Sequence, residues 1–313
     1  MVPCPLCGSF SWKPAFVRAD NGKVVRCVDC GLLYLNPRPT ESSIAGLYDQ
    51  SYFTQAGHGS AYHDYLGTDL AAMENGAHSG FLAMDVLKRH ISPSGKLLLD
   101  VGCGCGTLLQ IARQRGYTVR GIEISAYMAA QARKLFHLDV EEGRLEDANF
   151  DDEEFDVVTA LEVLEHLTDP VSWLREIHRV LKPGGWLLLT TPNGRCPHKY
   201  RNEWVGFTKS FEHLTFFDEG TIIHALKLAG LSMVGVWTRG NRLAANSVGK
   251  DPVVGMVKRA VKDALSAFPR LTAEAQRRRQ LWSLKPSHQR PFGHNLCVVA
   301  TRPLSDARRR CPR

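Results

Sequence analysis

Two groups of residues in this 313-residue chain have types and spacing that chemistry can use. The first is Cys4-Pro5-Leu6-Cys7-Gly8 with Cys27-Val28-Asp29-Cys30-Gly31, two Cys-x-x-Cys pairs separated by 19 residues. Four thiolates on this spacing can close a tetrahedral zinc site, and the glycine after each pair frees backbone amides to approach the sulfurs. The competing reading is a redox dithiol, which usually stands on a thioredoxin-like unit that the surrounding residues do not outline. The second group is Leu97-Leu98-Leu99-Asp100-Val101-Gly102-Cys103-Gly104-Cys105-Gly106-Thr107, an apolar run closed by a carboxylate and three alternate glycines, with Glu123 placed 17 residues beyond Gly106. Glycines let the backbone turn sharply and approach a ligand where a Cβ would collide, as a nucleotide cofactor requires.

Two details choose the cofactor. A dinucleotide site places its third glycine three residues after the second, on the helix that receives the pyrophosphate, and here that position is Thr107. Asp100 would repel a pyrophosphate but suits a cofactor bearing an ammonium and a sulfonium, namely S-adenosyl-L-methionine. The elements follow. Residues 97–101 read as a buried parallel strand and 107–115 as the next helix. Glu123 ends the alternation Tyr117-Thr118-Val119-Arg120-Gly121-Ile122, at the carboxyl end of a second strand, where a carboxylate can accept both ribose hydroxyls.

Further on stand Phe155-Asp156-Val157-Val158, Leu161-Glu162-Val163-Leu164-Glu165-His166-Leu167 and Leu181-Lys182-Pro183-Gly184-Gly185-Trp186-Leu187-Leu188-Leu189-Thr190-Thr191-Pro192-Asn193. In this order and spacing the chain resembles the class I S-adenosylmethionine-dependent methyltransferases over residues 80–302. The resemblance implies an α/β fold: a Rossmann-like seven-stranded sheet, six strands parallel and the last antiparallel, with helices on both faces, preceded by a small zinc ribbon. It also implies donor-site roles for Asp100, Gly102, Cys103 and Gly104 at the methionine, Glu123 at the ribose, and Ile124, Leu145 and Glu146 at the adenine. Leu161 and Glu162 close the far side. Arg144 replaces an acidic residue common in the family, so adenine recognition is expected from the Leu145 backbone and Glu146. Gly31-Leu32-Leu33-Tyr34-Leu35-Asn36-Pro37-Arg38-Pro39-Thr40 resembles the zinc-ribbon subgroup of bacterial members, many of which modify sugars or small molecules. That implies a sugar, a glycan precursor or a related metabolite as acceptor.

Methyl transfer is an in-line displacement, so positioning dominates, and a hydroxyl or acidic carbon acceptor also needs a base. His213, in a long loop over 192–215, is the first candidate for general base, with Glu212 as an orienting carboxylate or a substrate ligand. The alternative is a hydrogen-bonded structural histidine. His198 is a weaker candidate. His166 is expected to share a helical face with Glu162, in a structural or cofactor-side role. The stretch 42–90 mixes helical periodicity with Tyr48, Tyr52, Phe53, Tyr62, Tyr65, His58 and His63; the resemblance implies a lid over the cofactor pocket there, and the alternative is aromatic packing against the core.

A chain that is 44% hydrophobic can bury a full α/β core. It has neither an apolar run of about 18 residues nor a signal-like start, so a cytoplasmic location is expected, and nine cysteines there suit metal ligation or free thiols. Residues 250–313 hold 15 Lys or Arg against 4 Asp or Glu, whereas the preceding part carries a net −4. An apolar stripe of Val253, Val254, Met256, Val257, Ala260, Val261, Ala264, Leu265 and Phe268 runs among these basic residues. Such a basic amphipathic helix over 250–285 could lie on an anionic inner-membrane face, pack on the sheet, or form a homodimer contact. The domain expectation is a ribbon over 1–40, a helical lid over 41–90, a methyltransferase domain over 91–302 with a basic insertion at 241–290, and a disordered basic tail over 303–313. Two rival functions stay open. An RNA methyltransferase would use the ribbon for RNA, but the ribbon has only Lys13, Arg18, Lys23, Arg26 and Arg38 against Asp20 and Asp29, so nucleic acid fits less well. The other rival is a non-catalytic S-adenosylmethionine-binding partner subunit.

Overall fold

The computed structural model describes residues 1–40, 44, 48, 50–54, 64–208, 210–239, 284–287, 289 and 294–304. The basic insertion over 241–283, His58, Tyr62, His63 and the tail from residue 305 lie outside the described residues.

The N-terminal strands β1 (Trp12–Val17), β2 (Lys23–Cys27) and β3 (Leu33–Leu35) form an antiparallel meander. Among the described residues, α1 (Gln50–Thr54), α2 (Tyr65–Glu74) and α3 (Ser79–Leu87) follow. Asp64 caps α2 by accepting from the Gly67 amide, and His78 caps α3 by accepting from Gly80, each satisfying a first-turn donor that the helix leaves open.

The main sheet then winds through β4 (Leu97–Val101), α4 (Thr107–Gln114), β5 (Thr118–Glu123), α5 (Ala126–Phe136), β6 (Val140–Glu142), β7 (Phe155–Leu161), α6 (Pro170–Val180) and β8 (Leu181–Pro192). Strands β8, β7, β4, β5 and β6 lie side by side and parallel. β4 and β7 are apolar nearly throughout, as is the Leu187–Leu189 run of β8, because both faces of these strands are buried. α6 shows how a covering helix is specified. Asp169 caps it by accepting from the Ser172 amide, Pro170 opens it, and Val171, Trp173, Leu174, Ile177 and Val180 form its buried stripe.

The remaining elements are α7 (Cys196–Tyr200), α8 (Val205–Thr208), β9 (Thr215–Phe216), α9 (Glu219–Leu228), β10 (Ser232–Arg239), β11 (Lys285–Pro286) and β12 (Asn295–Thr301). β12 runs against both β8 and β10, so six strands share one direction and the last opposes them, as expected. The two-residue β11 adds an eighth strand at the edge of β10.

Two expectations are corrected. The 192–215 stretch is not a structureless loop: it holds α7, α8, a 3₁₀ turn at Arg201–Glu203 and the start of β9. β9 pairs with β3, placing Leu33 opposite Phe216 and Tyr34 opposite Thr215, so the ribbon meander becomes a four-stranded sheet through a strand from the far half of the chain. Glu162 and His166 do not share a helical face either. Glu162 follows β7 in a left-handed conformation, φ 57°, and His166 closes a single 3₁₀ turn, Leu164–His166.

Candidate functional site

On the donor side, the chain leaves β4 through the glycines. Gly102 has φ +70° and Gly106 has φ +83°, both in the region that L side chains avoid. A Cβ on Gly102 would stand 2.7 Å from Val163 Cγ2, and one on Gly106 would strike Leu138 Cδ1. The loop is therefore drawn tight against its neighbours, with α4 starting at Thr107. Glu123 holds it from the next strand: one carboxylate oxygen accepts from the Gly104 amide at 2.8 Å, the other from the Ser125 amide at 2.9 Å. Burial pushes Glu123 up and outweighs those hydrogen bonds. Asp100 is buried and accepts from Thr159 Oγ1 at 2.7 Å; burial, with Glu123 and Asp69 nearby, pushes it up to about 7. A loop framed by buried carboxylates answers a cationic ligand, since a positive charge would favour their ionised forms.

The other expected donor residues are more scattered. Cys103 is buried in the core against Gly121, which explains its small size by packing. Ile124 is 38% exposed just past β5, Leu145 is buried at the start of a 3₁₀ turn, and Glu146 beside it is exposed. Leu161 is half-buried at the end of β7, and exposed Glu162 accepts from Thr190 Oγ1 at 2.6 Å and Asn295 Nδ2 at 2.7 Å, which ties β7 to β8 and β12.

Beside this loop lies the second half of the site. Val163, against Gly102, leads into the turn carrying Glu165 and His166, and the Leu214 amide donates to the Glu165 carbonyl at 2.8 Å. That places His213 over the turn. Its Nε2 is 3.9 Å from Glu165 Oε1 and 4.0 Å from Glu212 Oε1, and the His166 and His213 rings meet edge to face at 4.9 Å. Glu165 is fully buried; Thr191 Oγ1 donates to its Oε2 at 2.9 Å, while its Oε1 and His213 Nδ1 have no hydrogen-bond partner among the described residues. Burial pushes Glu165 well up, His213 well down and His166 down to about 4. The lid reaches this cluster through Tyr48, whose hydroxyl is 3.0 Å from His166 Nδ1, and Tyr52, which donates to Glu212 Oε1 at 3.2 Å. His198 is not part of it: it sits in α7, edge-on to Phe16 of β1.

Sequence reasoning missed Glu165, although it stands inside a quoted motif; only the fold shows that it is the buried member. It also missed the latch between α2 and α4. Asp69 accepts from Thr107 Oγ1 and Cys105, and lies 3.0 Å from His78 Nε2. The pairing of His78 Nδ1 with the Gly80 amide assigns the ring proton to Nε2, so His78 donates to Asp69.

The four ribbon cysteines come together as expected. Cys4 and Cys30 sulfurs are 3.5 Å apart, as are those of Cys7 and Cys27, and all four lie within 4.8 Å of one another. Zinc–sulfur bonds of about 2.3 Å in a tetrahedron put sulfurs about 3.8 Å apart, so the donor set fits zinc. Glu165, His166 and His213 also offer ligand atoms within 4.8 Å.

Fold and site together define a Rossmann-like domain whose carboxylate-framed glycine loop lies beside an acid–histidine cluster. A family model described as a methyltransferase domain matches residues 80–236, just over half the chain, and the chain belongs to that family. It is 40% identical over 131 residues to a ubiquinone biosynthesis O-methyltransferase of Pseudomonas entomophila, covering 40% of this chain and 56% of that one. With the enzyme of the same name from Stutzerimonas stutzeri it is 35% identical over 177 residues, covering 53% and 72%. The chain spans about half the length of most of these curated relatives. In fold it is similar to a chain of the complex between the Haloferax volcanii Trm112 methyltransferase activator and a methyltransferase, at 20% identity and TM-score 0.51, covering 76% of this chain and 93% of that one. It is also similar to an S-adenosylmethionine-dependent methyltransferase of Thermotoga maritima, at 16% identity and TM-score 0.50, covering 76% and 96%.

Proposed function

We propose that this chain transfers a methyl group from S-adenosyl-L-methionine to a hydroxyl of a small-molecule acceptor, with a structural zinc held by Cys4, Cys7, Cys27 and Cys30. The observation that carries the reading is the buried Glu165–His213 pair beside the carboxylate-lined glycine loop. The donor, when bound, supplies an electrophilic methyl. Asp100 and the Gly102–Gly104 backbone hold its methionine end and Glu123 its ribose, while Ile124 and Leu145 flank the base. His213 takes the hydroxyl proton at Nδ1, the nitrogen left free when Nε2–H turns toward Glu165. Burial makes either group alone reluctant to carry charge; together they hold an imidazolium–carboxylate pair that each stabilises. Tyr48 and Tyr52 line the approach and exclude water.

The names of the relatives support oxygen as the methylated atom. Sugar and glycan acceptors, expected from the ribbon, are hydroxyl compounds of the kind this pair would deprotonate. The first test is native mass spectrometry with metal analysis, followed by turnover of S-adenosylmethionine carrying a deuterated methyl against a panel of catechols and nucleotide sugars. One zinc per chain, binding of donor and S-adenosylhomocysteine, and a deuterated O-methyl product support the reading. A protein that binds neither nucleoside overturns it. A second reading rests on the clustering of their ligand atoms within 4.8 Å: Glu165, His166 and His213 would hold a divalent cation that polarises the hydroxyl. Turnover lost to a chelator that leaves the ribbon zinc in place, and restored by a transition-metal ion such as manganese, would favour that reading.

A further inference from the structure

We propose that Arg18 of the ribbon is a positioning residue for the acceptor side of the site: its buried guanidinium fixes the backbone of His213, so the ribbon sets acceptor geometry while leaving the donor loop alone. This rests on the proposed role of His213.

Arg18 follows β1 directly and is only 4% exposed, rare for arginine unless every charge is answered. Here it is. Nη1 donates to the His213 carbonyl at 2.9 Å, while Nε and Nη2 grip the two carboxylate oxygens of Asp20 at 3.1 and 2.5 Å. Asp20 is itself held by the Gly22 amide at 3.0 Å, within the β1–β2 turn. The guanidinium carbon also lies 5.7 Å from the centre of the Phe211 ring. One planar fork thus joins the ribbon turn to the residue before Leu214. Lysine has a single nitrogen and cannot hold both oxygens of Asp20 and reach the carbonyl in the same geometry.

The neighbouring contacts land on the same segment. The Ala19 amide donates to the Phe207 carbonyl at 3.0 Å, the Leu35 amide to Leu214 at 2.8 Å, and β3 pairs with β9. Arg38 Nη1 donates to the Thr168 carbonyl at 2.7 Å, just past the turn of Glu165 and His166. The cysteine cluster holds the ends of β2 and the approach to β3, so the order of these strands passes to the acceptor loop through Arg18 and β9. Glu123 and Asp100 take their hydrogen bonds from their own loop and from β7 instead.

The test uses the full chain with ¹⁵N-labelled histidine rings, the His213 signals being assigned with His213→Gln. Arg18→Ala and Arg18→Lys are compared for His213 ring signals, amide hydrogen exchange over 211–216, zinc content and affinity for S-adenosylhomocysteine. Both variants are expected to keep one zinc and bind S-adenosylhomocysteine within about twofold of the parent, while His213 signals move and exchange over 211–216 speeds up about tenfold or more. Guanidinium ion added to Arg18→Ala is expected to restore the parental signals, whereas potassium at equal strength does not. Unchanged His213 signals in Arg18→Lys overturn the proposal, as does a fall in S-adenosylhomocysteine affinity in step with the His213 change. If His213→Gln methylates as the parent does, the base reading fails while the Arg18 result stands on its own.

Discussion

Glu165 accepts from Thr191 with one oxygen, and its other oxygen has no hydrogen-bond partner among the described residues. Replacing it with glutamine keeps the shape and removes a charge that burial disfavours. Glu165→Gln is therefore expected to melt at or above the parental temperature while methyl transfer falls about 10²-fold or more, as for loss of a base-orienting carboxylate. A melting point several degrees lower would show that the carboxylate is compensated in the folded chain. Glu123→Ala removes the acceptor of two backbone amides and of the proposed ribose contacts. At about 1.5–3 kcal/mol for each hydrogen bond to a charged group, affinity for S-adenosylhomocysteine should drop about 10²-fold or more by calorimetry. Unaltered affinity would mean that the ribose lies elsewhere. Both glutamates stand in readable motifs, yet only Glu123 was legible. Its place follows from one strand and one turn, whereas burial of Glu165 depends on β8 and on the segment around Leu214, remote in sequence.

Among the elements, α2 is tied to the glycine loop by the side chain of Asp69. It buries no residue fully, and Asp69 latches it to His78 and to the start of α4. Burial raises Asp69, but the hydrogen bonds it accepts from His78 and Thr107 outweigh burial and hold it below the usual carboxylate range. Asp69→Asn is expected to speed amide exchange across 65–74 by about tenfold without changing exchange in β4, read by mass spectrometry. Uniform exchange would make the latch incidental. In the glycine loop, Gly106→Ala meets both a left-handed backbone and Leu138, and should cost about 2 kcal/mol or more in chemical denaturation. Strands and helices of the main sheet were legible because each declares itself within a dozen residues through its apolar period and caps. The 192–215 stretch was not: α7 and α8 are too short to show a period, and β9 is two residues whose strand partner, β3, lies more than 180 positions earlier.

Across the whole molecule, Asp156 joins the starts of three parallel strands. It accepts from Lys96 Nζ at 2.9 Å, Lys182 Nζ at 2.8 Å and the Leu97 amide at 3.1 Å. Burial raises it, but Lys182 and Lys96 outweigh burial and hold it below its ordinary value. Its contribution is therefore complete above the unfolded value of about 3.9 and is lost as pH falls through the lower folded value. Asp156→Asn should melt below the parent at pH 7, with the gap closing below about pH 4; a gap that persists in acid would assign the effect to packing. No helix among the described residues is long and apolar enough to cross a membrane. The ribbon sheet ends on β9, and that shared strand limits how the chain can be divided. A version begun at residue 41 would not merely lose a zinc module. It would leave Thr215 and Phe216 as a bare sheet edge and uncover the apolar surface that Leu33 and Val24 share with Trp204, Phe207 and Phe216. Such an edge recruits other chains, so the shortened protein is expected to form aggregates even though its nucleoside-binding half is whole.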